Sequence, residues 1–272
     1  MKSDAIAAPL PNAVNPFFGF FMQVWAVFSA ELQKLRHDPF ELATRAIQPL
    51  LWLLLFGQVM AKVRGIASGN LNYIDYLSAG ILAQSVLFAA IFFGISAIWE
   101  KDLGILHRML VSPAPRSTIV LGKAMAASVR GMIQSLIVYV IASIAGANVS
   151  LDPVHIAGVL VLISLGSALF STLSLIIACF VKTRERFMGI GQVLTMPLFF
   201  ASNAIYPIAL MPGWMRVVSH MNPLTYQVDG LRALMIQGGT TEFGFAADYG
   251  ILIGVFFILV LIAERMYPKL VA

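Results

Sequence analysis

The sequence predicts an all-α, polytopic membrane protein. Hydrophobic residues make up 59% of the 272 residues and charged residues only 11%, and the mean hydropathy of +0.86 is too high for one soluble core. The apolar residues lie in continuous runs, close to the roughly 20 residues that a helix needs to cross a bilayer. Barrel strands would alternate apolar and polar residues, so these runs favour helices.

Uncharged windows predict six membrane-spanning helices in a single domain, residues 1–272. The first window is short, but Arg45 and Lys62 flank it and can snorkel to the headgroups. The last is long enough if its helix starts near Phe243 and carries Asp248 at the outer interface. The predicted spans cover residues 46–61, 76–99, 124–151, 153–181, 187–208 and 243–263.

The orientation follows from the lysine and arginine residues, which collect on the cytoplasmic side of membrane proteins. With the N-terminus inside, 13 of the 18 Lys and Arg residues fall in the cytoplasm. We therefore expect both termini to be cytoplasmic. The net charge of +5 is then a topology signal and requires no nucleic-acid partner.

Residues 16–43 precede the first span and combine an aromatic first half with a polar second half, ELQKLRHDPFELATR. The helical periodicity predicts an amphipathic helix along the cytoplasmic face. Its aromatic half can partly embed at the interface. A seventh span over residues 12–30 is the competing interpretation, although that stretch has few strongly aliphatic residues.

The stretch after the second span, WEKDLGILHRMLVSPAPRSTIVLGK, is too short for a domain and too apolar for a linker. Residues 100–111 predict a short helix with one apolar side, and Ser112–Pro115 break it because proline disfavours helix at the preceding residue. We interpret residues 100–116 as a docking element. The alternative is an ordinary solvated loop, which would leave large apolar residues facing water.

Three further patterns favour a structural interpretation. Arg130 is expected to snorkel, with a buried charge in a translocation path as the alternative. Helix packing is favoured over a substrate path for a stripe of four serines, Ser164, Ser167, Ser171 and Ser174. The GILIG run from Gly250 also indicates packing.

Residues 202–234 are dense in Pro, Gly, Asn and aromatic residues where the fifth span should end. Pro207, Pro212 and Pro223 break helices, whereas Trp214 and Tyr226 suit an interfacial belt. Short re-entrant helices in the outer leaflet would explain apolar residues between these breakers.

Several chemistries lack their motifs in this sequence. Gly122 and Lys123 are not part of a P-loop, and the four histidines form neither HExxH nor a pair on one helix face. No catalytic constellation is recognisable, and no carboxylate lies mid-span to couple protons or sodium. We expect no enzyme, metal or cofactor in this chain, so the energy for any transport must come from another protein.

With these motifs in view, the sequence resembles the permease subunits of ATP-binding-cassette exporters of the second transporter type, above all daunorubicin-type drug exporters and nodulation-factor exporters. The resemblance rests on residues 99–123, on MNPLTYQVDGLR before the last span and on LRHDPFELATRAIQPL at the first. It implies a homodimer of this chain with two copies of a cytoplasmic ATPase, which would hold ATP and Mg, in the bacterial inner membrane. Where relatives often carry Ser-Gly, this chain has Ser202, Asn203 and Ala204.

The resemblance also implies roles for particular residues. Residues 100–111 would be the coupling helix seated in the ATPase, and residues 202–234 would gate the exit. The predicted coupling residues are Glu100, Asp102, Gly104, Leu106, Arg108, Met109, Leu110 and Pro113. The predicted substrate path or gate comprises Gln84, Gln192, Asn203, Tyr206, Pro207, Asn222, Pro223 and Tyr226.

The expected function is export of an amphipathic drug-like or lipid-like substrate. The compact docking segment and the lack of an added carbohydrate-recognition domain favour this over export of a lipid-linked oligosaccharide or polysaccharide, which stays open. A membrane anchor for an ATPase and a lipid-modifying membrane enzyme are further alternatives.

Overall fold

The computed structural model of the protein describes residues 16–37, 47–60, 71–105, 115–181 and 183–267. These residues form helices joined by turns, which confirms the predicted all-α class. Between the sixth and seventh helices, Ile208–Leu210 form a short 3-10 turn. The helices are α1 (Pro16–His37), α2 (Ile47–Met60), α3 (Tyr73–Asp102), α4 (Arg116–Ile144), α5 (Pro153–Phe180), α6 (Arg184–Phe200), α7 (Gly213–Met221), α8 (Pro223–Met235) and α9 (Phe245–Met266).

Four helices of the described residues, α3, α4, α5 and α9, are long and apolar enough to cross a bilayer. The chain is therefore a multi-pass membrane protein. Helix α2 is apolar but shorter, and α6 has 17 residues. The count of six spans consequently stays a prediction.

The helix ends differ from the predicted span ends, because a window bounded by charges finds the hydrocarbon-sized part of a helix and not the helix itself. Helix α3 extends beyond residues 76–99 at both ends, and α4 starts at Arg116 and not at 124. Helix α4 also stops at Ile144, where the prediction reached 151, and Gly146 with φ +91° turns the chain there. Helix α6 ends at Phe200, before the predicted 208.

Successive helices from α3 to α6 alternate in direction and define two ends of the bundle. The proximal end holds Asp102, Arg116, Phe180 and Arg184, and the distal end holds the opposite helix termini. Helix α5 lies centrally against α3, α4, α8 and α9. Helices α2 and α6 pack on α3, whereas α1 packs on α4.

The serine stripe lies where α5 meets its neighbours. The Ser174 Oγ accepts a hydrogen bond from the Gly94 N–H at 2.9 Å, and Ser167 lies against Gly131. A side chain at either glycine would collide with the serine that faces it. Small residues let membrane helices approach closely, so the packing predicted for the stripe is confirmed.

The GILIG run has a different environment from the one predicted. No atom of another element in the described residues lies within 4 Å of the position that a side chain would take at Gly250 or Gly254. The two glycines therefore make no close contact inside the described chain, whereas Leu252 between them is fully buried.

Helix α1 is amphipathic, as predicted. Val24, Phe28 and Leu35 are buried on the side facing the bundle, at the spacing of one helix face. Phe18 and Trp25 are exposed, at 61% and 62%. Helix α1 is not among the described helices that are apolar enough to cross a bilayer. Residues 38–43 of the predicted interface helix lie outside the described residues.

Candidate functional site

A buried group of charges joins three helices at the proximal end. The Lys123 ammonium of α4 donates to Glu31 of α1 at 2.8 Å and to Glu100 of α3 at 2.9 Å. Lys34 donates to Glu100 at 2.6 Å and to Glu31 at 3.2 Å. We call Glu31, Lys34, Glu100 and Lys123 the proximal charge cluster. The Lys123 side chain is 0% exposed and the two carboxylates 3% and 5%.

The cluster determines the protonation of Glu31. Burial alone would raise the pKa of this carboxyl, but the ammonium groups of Lys123 and Lys34 overcome that effect and lower the pKa from 4.5 to about 2. A carboxyl whose pKa is lower in the folded than in the unfolded state stabilises the fold at pH values above its unfolded pKa. The contribution is therefore complete above about pH 4.5 and lost as the pH falls towards 2. Near neutral pH, Glu31 is charged.

Arg130 of α4 lies beside the cluster. Its guanidinium is 3.9 Å from Glu31 and 5.2 Å from the centre of the Phe93 ring. The side chain is only 16% exposed. This placement differs from the predicted snorkelling, because a carboxylate and an aromatic face inside the protein give the cation an alternative to water.

A second ion pair fixes the proximal end of α6. The Arg184 guanidinium donates to Asp102 at 2.6 Å and lies 3.4 Å from the centre of the Trp99 ring. Exposed ion pairs contribute roughly 0–1 kcal/mol, so this contact sets geometry more than stability. It joins the end of α3 to the start of α6.

The structure describes only the beginning of the predicted coupling segment. Glu100 is in the buried cluster, Asp102 pairs with Arg184, and Gly104 has φ +68°, which ends the helix. Leu103 and Ile105 are exposed. The coupling roles stay predictions. The remaining predicted residues lie outside the described part, namely Leu106, Arg108, Met109, Leu110 and Pro113.

At the distal end, the backbone carbonyl of Asn203 is shared by two donors. The Tyr76 hydroxyl donates to it at 2.8 Å and the Arg232 guanidinium at 2.6 Å. Arg232 also lies 3.7 Å from the centre of the Tyr76 ring. The Asn203 side chain is buried, yet its amide has no hydrogen-bond partner in the described part of the chain. The turn after α6 is thereby held to α3 and α8.

Two carboxylates hold loops of the distal end. Asp75 accepts from the backbone N–H of Asn148 at 2.7 Å and from its side chain at 3.0 Å. Asp229 accepts from the N–H groups of Glu242 and Phe243 at 2.8 and 3.1 Å. Burial raises the pKa of Asp229, and these two donors act in the opposite direction. Both acids therefore have structural partners.

Asn222, Pro223 and Tyr226 build the start of α8. The Asn222 Oδ1 accepts from the Leu224 N–H at 3.0 Å, and its Nδ2 donates to the Leu198 carbonyl at 2.6 Å. Pro223 occupies the first helical turn, where no amide hydrogen is required. The Tyr226 hydroxyl donates to the His220 carbonyl at 2.8 Å. These residues explain the Asn-Pro-Leu motif as an N-cap that also fastens α8 to α6.

Replacing Asn222 with alanine should lower the melting temperature in detergent, because it removes the helix cap and leaves the partly buried Leu198 carbonyl without this donor. The expected loss is about 1–3 kcal/mol. Asn222→Ser, which keeps a capping oxygen, should lose less. Equal melting of the alanine variant and the wild type would contradict the role.

The other predicted path residues occupy different surroundings. Gln84 is buried on α3, and Gln192 is exposed on α6. Tyr206 donates to the Phe200 carbonyl at 2.7 Å, and Pro207 precedes the 3-10 turn. The structure thus places the predicted path or gate residues between 203 and 226 together at the distal end. Gln84 and Gln192 do not join them on one surface of the single chain.

An apolar cavity opens beside Tyr206. This distal cavity has a volume of about 540 Å³, and its lining includes Trp52 and Phe56 of α2, Tyr73 of α3 and Met215 of α7. It lies on the flank formed by α2 and the turn after α6. Its lining is aromatic, and its two tyrosine hydroxyls donate to the Ile205 and Phe200 carbonyls but can still accept a hydrogen bond, so it suits an amphipathic molecule better than an ion.

Sequence reasoning missed the proximal charge cluster. Lys123 and Lys34 were interpreted as topology charges, and Glu31 as part of the polar second half of the interface helix. One available signal was Lys123 itself, which lies seven residues inside a helix and has apolar neighbours. Another was the i, i+3 spacing of Glu31 and Lys34. Neither signal shows which distant residues meet.

The fold and these contacts define an all-helical, multi-pass membrane protein whose proximal end carries an exposed segment fixed by buried charges. The sequence matches the family described as ABC-2 type transporter over residues 22–236. The chain therefore belongs to the ABC-2 type transporter family and is a transport permease of that family.

Three relatives are similar to this chain over most of their own length. The protein ycf38 of Cyanophora paradoxa, whose name describes a transport permease, is 29% identical over 82% of this chain and 77% of its own. Nodulation protein J of Rhizobium meliloti is 26% identical over 72% of this chain and 74% of its own. The daunorubicin resistance ABC transporter permease protein DrrB1 of Streptomyces coeruleorubidus is 24% identical over 74% of this chain and 70% of its own.

Proposed function

We propose that this chain is the membrane-spanning subunit of an ATP-driven exporter that moves an amphipathic, drug-like or lipid-like molecule out of the cytoplasm or inner leaflet. In this proposal two copies of the chain pair in the bacterial inner membrane with six spans each and both termini inside. Two copies of a separate ATPase bind ATP and Mg. The proximal end then faces the cytoplasm.

The proximal charge cluster is the observation that carries the coupling part of this proposal. It fixes Glu100 at the end of α3, immediately before the exposed Leu103 and Ile105, to α1 and α4 at once. A force on the following segment therefore acts on three helices and not on a loose loop. Family membership supports a cassette ATPase as the source of that force.

The distal cavity supports the class of substrate. It is apolar and aromatic, and it adjoins Tyr206 in the segment proposed as the exit gate. The buried Asn203 amide, with no partner in the described part, adds a polar group close to the same turn. Aromatic walls with a few polar groups fit a molecule that has both characters.

The decisive experiment isolates the partner and then measures transport. The tagged chain, purified from its native membranes, should retain an ATPase with a P-loop. In liposomes, a labelled amphiphile should move only with that partner and ATP, and not when the P-loop lysine of the partner is replaced. Movement without ATP, or chemical change of a lipid without the partner, would overturn the proposal in favour of another class.

Replacing Gln192 with tryptophan tests the path along α6. The side chain is exposed on a helix that packs mainly against α3, so the added bulk should narrow the space between two copies of the chain. We expect export to fall severalfold while insertion and ATPase binding persist. Val140→Trp, at an exposed position of α4, is the matched control. Equal export by both variants would place the path elsewhere.

A further inference from the structure

An apolar groove runs between α1 and the spanning helices, on the flank away from α2 and α6. It has a volume of about 770 Å³. Its lining includes Phe21 and Trp25 of α1, Met125 of α4, Ala168 of α5 and Phe256 of α9. We call it the α1 groove. Neither the coupling segment nor the proposed exit path accounts for it.

The groove offers a ligand almost no polar chemistry. Ser128 and Ser164 are its two hydroxyl residues, and their protons are used inside the chain. Ser128 donates to the carbonyls of Ala124 at 3.0 Å and Ser164 at 2.8 Å, while Ser164 donates to Leu160 at 2.7 Å. A polar substrate would lose its hydration there without new hydrogen bonds. The occupant must therefore be apolar.

The location of the groove identifies what is available to fill it. Three of its four walls, α4, α5 and α9, are helices that can cross a bilayer. Phe21, Trp25 and Met125 are exposed at its rim, at 54%, 62% and 43%. Ala168 and Phe256 lie near the middle of α5 and α9, so the groove reaches the depth of the lipid tails, and an acyl chain can enter it where water would not.

The dimensions disfavour a helix from a second protein. A helix about 10 Å across would fill this volume within about 10 Å, or less than two turns. A flexible acyl chain can follow the groove instead and contact all four walls. We propose that a phospholipid of the proximal leaflet inserts one acyl chain into the α1 groove and holds α1 against the bundle.

This binding site bears on the proximal charge cluster, because the same helix carries both. Trp25 lines the groove and Glu31 lies six residues further along α1. Val24 and Val27 pack on Gly122, the neighbour of Lys123, where a side chain on the glycine would come within 2.6 Å of Val27. A lipid that fixes the first half of α1 therefore fixes the position of Glu31 as well.

Photo-crosslinking tests the site without any measurement of transport. The purified full chain is placed in nanodiscs of phosphatidylcholine that carries a diazirine in one acyl chain, irradiated, digested and analysed by mass spectrometry. We expect labelling around Met125 and Phe21 to exceed labelling at Ile258 and Leu261 of α9 by about fivefold or more, although both control residues are the more exposed.

Variants that fill the groove make the result specific. Ala124→Phe and Ala168→Phe each place a ring into the groove and should reduce labelling at Met125 severalfold. Leu136→Phe, exposed on α4 and outside the groove lining, should not. Unchanged labelling at Ile258 excludes misfolding as the cause.

Two results would overturn the inference. Labelling that is uniform over all exposed apolar positions would mean ordinary surrounding lipid, and labelling that is absent from both Met125 and Phe21 would mean that protein, such as a second copy of the chain, covers the groove. Loss of transport has no bearing on either readout. The site and the proposed function can therefore fail separately.

Discussion

Replacing Lys123 with methionine should destabilise the protein strongly and abolish ATP-dependent transport. The substitution removes, from a fully buried position, an ammonium that contacts both Glu31 and Glu100. Two buried carboxylates then share Lys34, whose side chain is 48% exposed. Breaking a buried ion pair by removing one partner costs about 3–5 kcal/mol. Thermal unfolding in detergent, followed by size-exclusion chromatography, measures the loss.

Controls distinguish charge from packing. Lys101→Met changes a partly exposed lysine close to the cluster and should have little effect. Adding Glu31→Gln and Glu100→Gln to Lys123→Met removes the unpaired charges and should recover much of the lost stability. If Lys123→Met melts like the wild type, water reaches these carboxylates and the cluster does not stabilise the fold.

Replacing Leu106 and Leu110 together with aspartate should abolish transport and stimulated ATP hydrolysis while the chain still inserts. The amphipathic pattern of residues 100–111 places both leucines on the apolar side of the proposed coupling helix. Burial of a leucine is worth roughly 1.5–3 kcal/mol, so losing two should weaken association at least about a hundredfold. Co-purification with the ATPase measures binding directly.

The matched variant keeps apolar side chains at both positions. Leu106→Met with Leu110→Met should retain binding, because methionine fills a similar volume. Membrane insertion, checked by protease accessibility, should be equal in all three proteins. Unchanged co-purification of the aspartate variant would refute the docking role.

The sequence was sufficient for features that depend on local pattern. Continuous apolar runs predicted α3, α4, α5 and α9, and serines at helical spacing predicted close helix packing, which the contact of Ser174 with Gly94 provides. The Asn-Pro-Leu motif contained the residues of the α8 N-cap, but the sequence alone did not identify them as a cap. In each case the interaction lies within one helix or follows from its surface.

Features that depend on tertiary contact were beyond the sequence. Glu31 and Lys123 are 92 positions apart, and no local pattern says that α1 crosses α4 at that point. Arg130 was expected to reach the headgroups because nothing in the sequence shows the Phe93 ring beside it. The Asn203 carbonyl is a backbone group, so its two donors leave no trace in residue type. The α1 groove likewise exists only once four helices meet.

Helix α3 has a mechanical consequence. It runs unbroken from Tyr73 to Asp102, with Glu100 in the charge cluster at one end and Tyr76 bonded to the Asn203 turn at the other. Thirty helical residues form a rod about 45 Å long, so a tilt of about 5° at its proximal end moves its distal end by about 4 Å. In the proposed exporter, such a rod would convert a small swing at the ATPase into a displacement longer than a hydrogen bond at the turn beside the distal cavity.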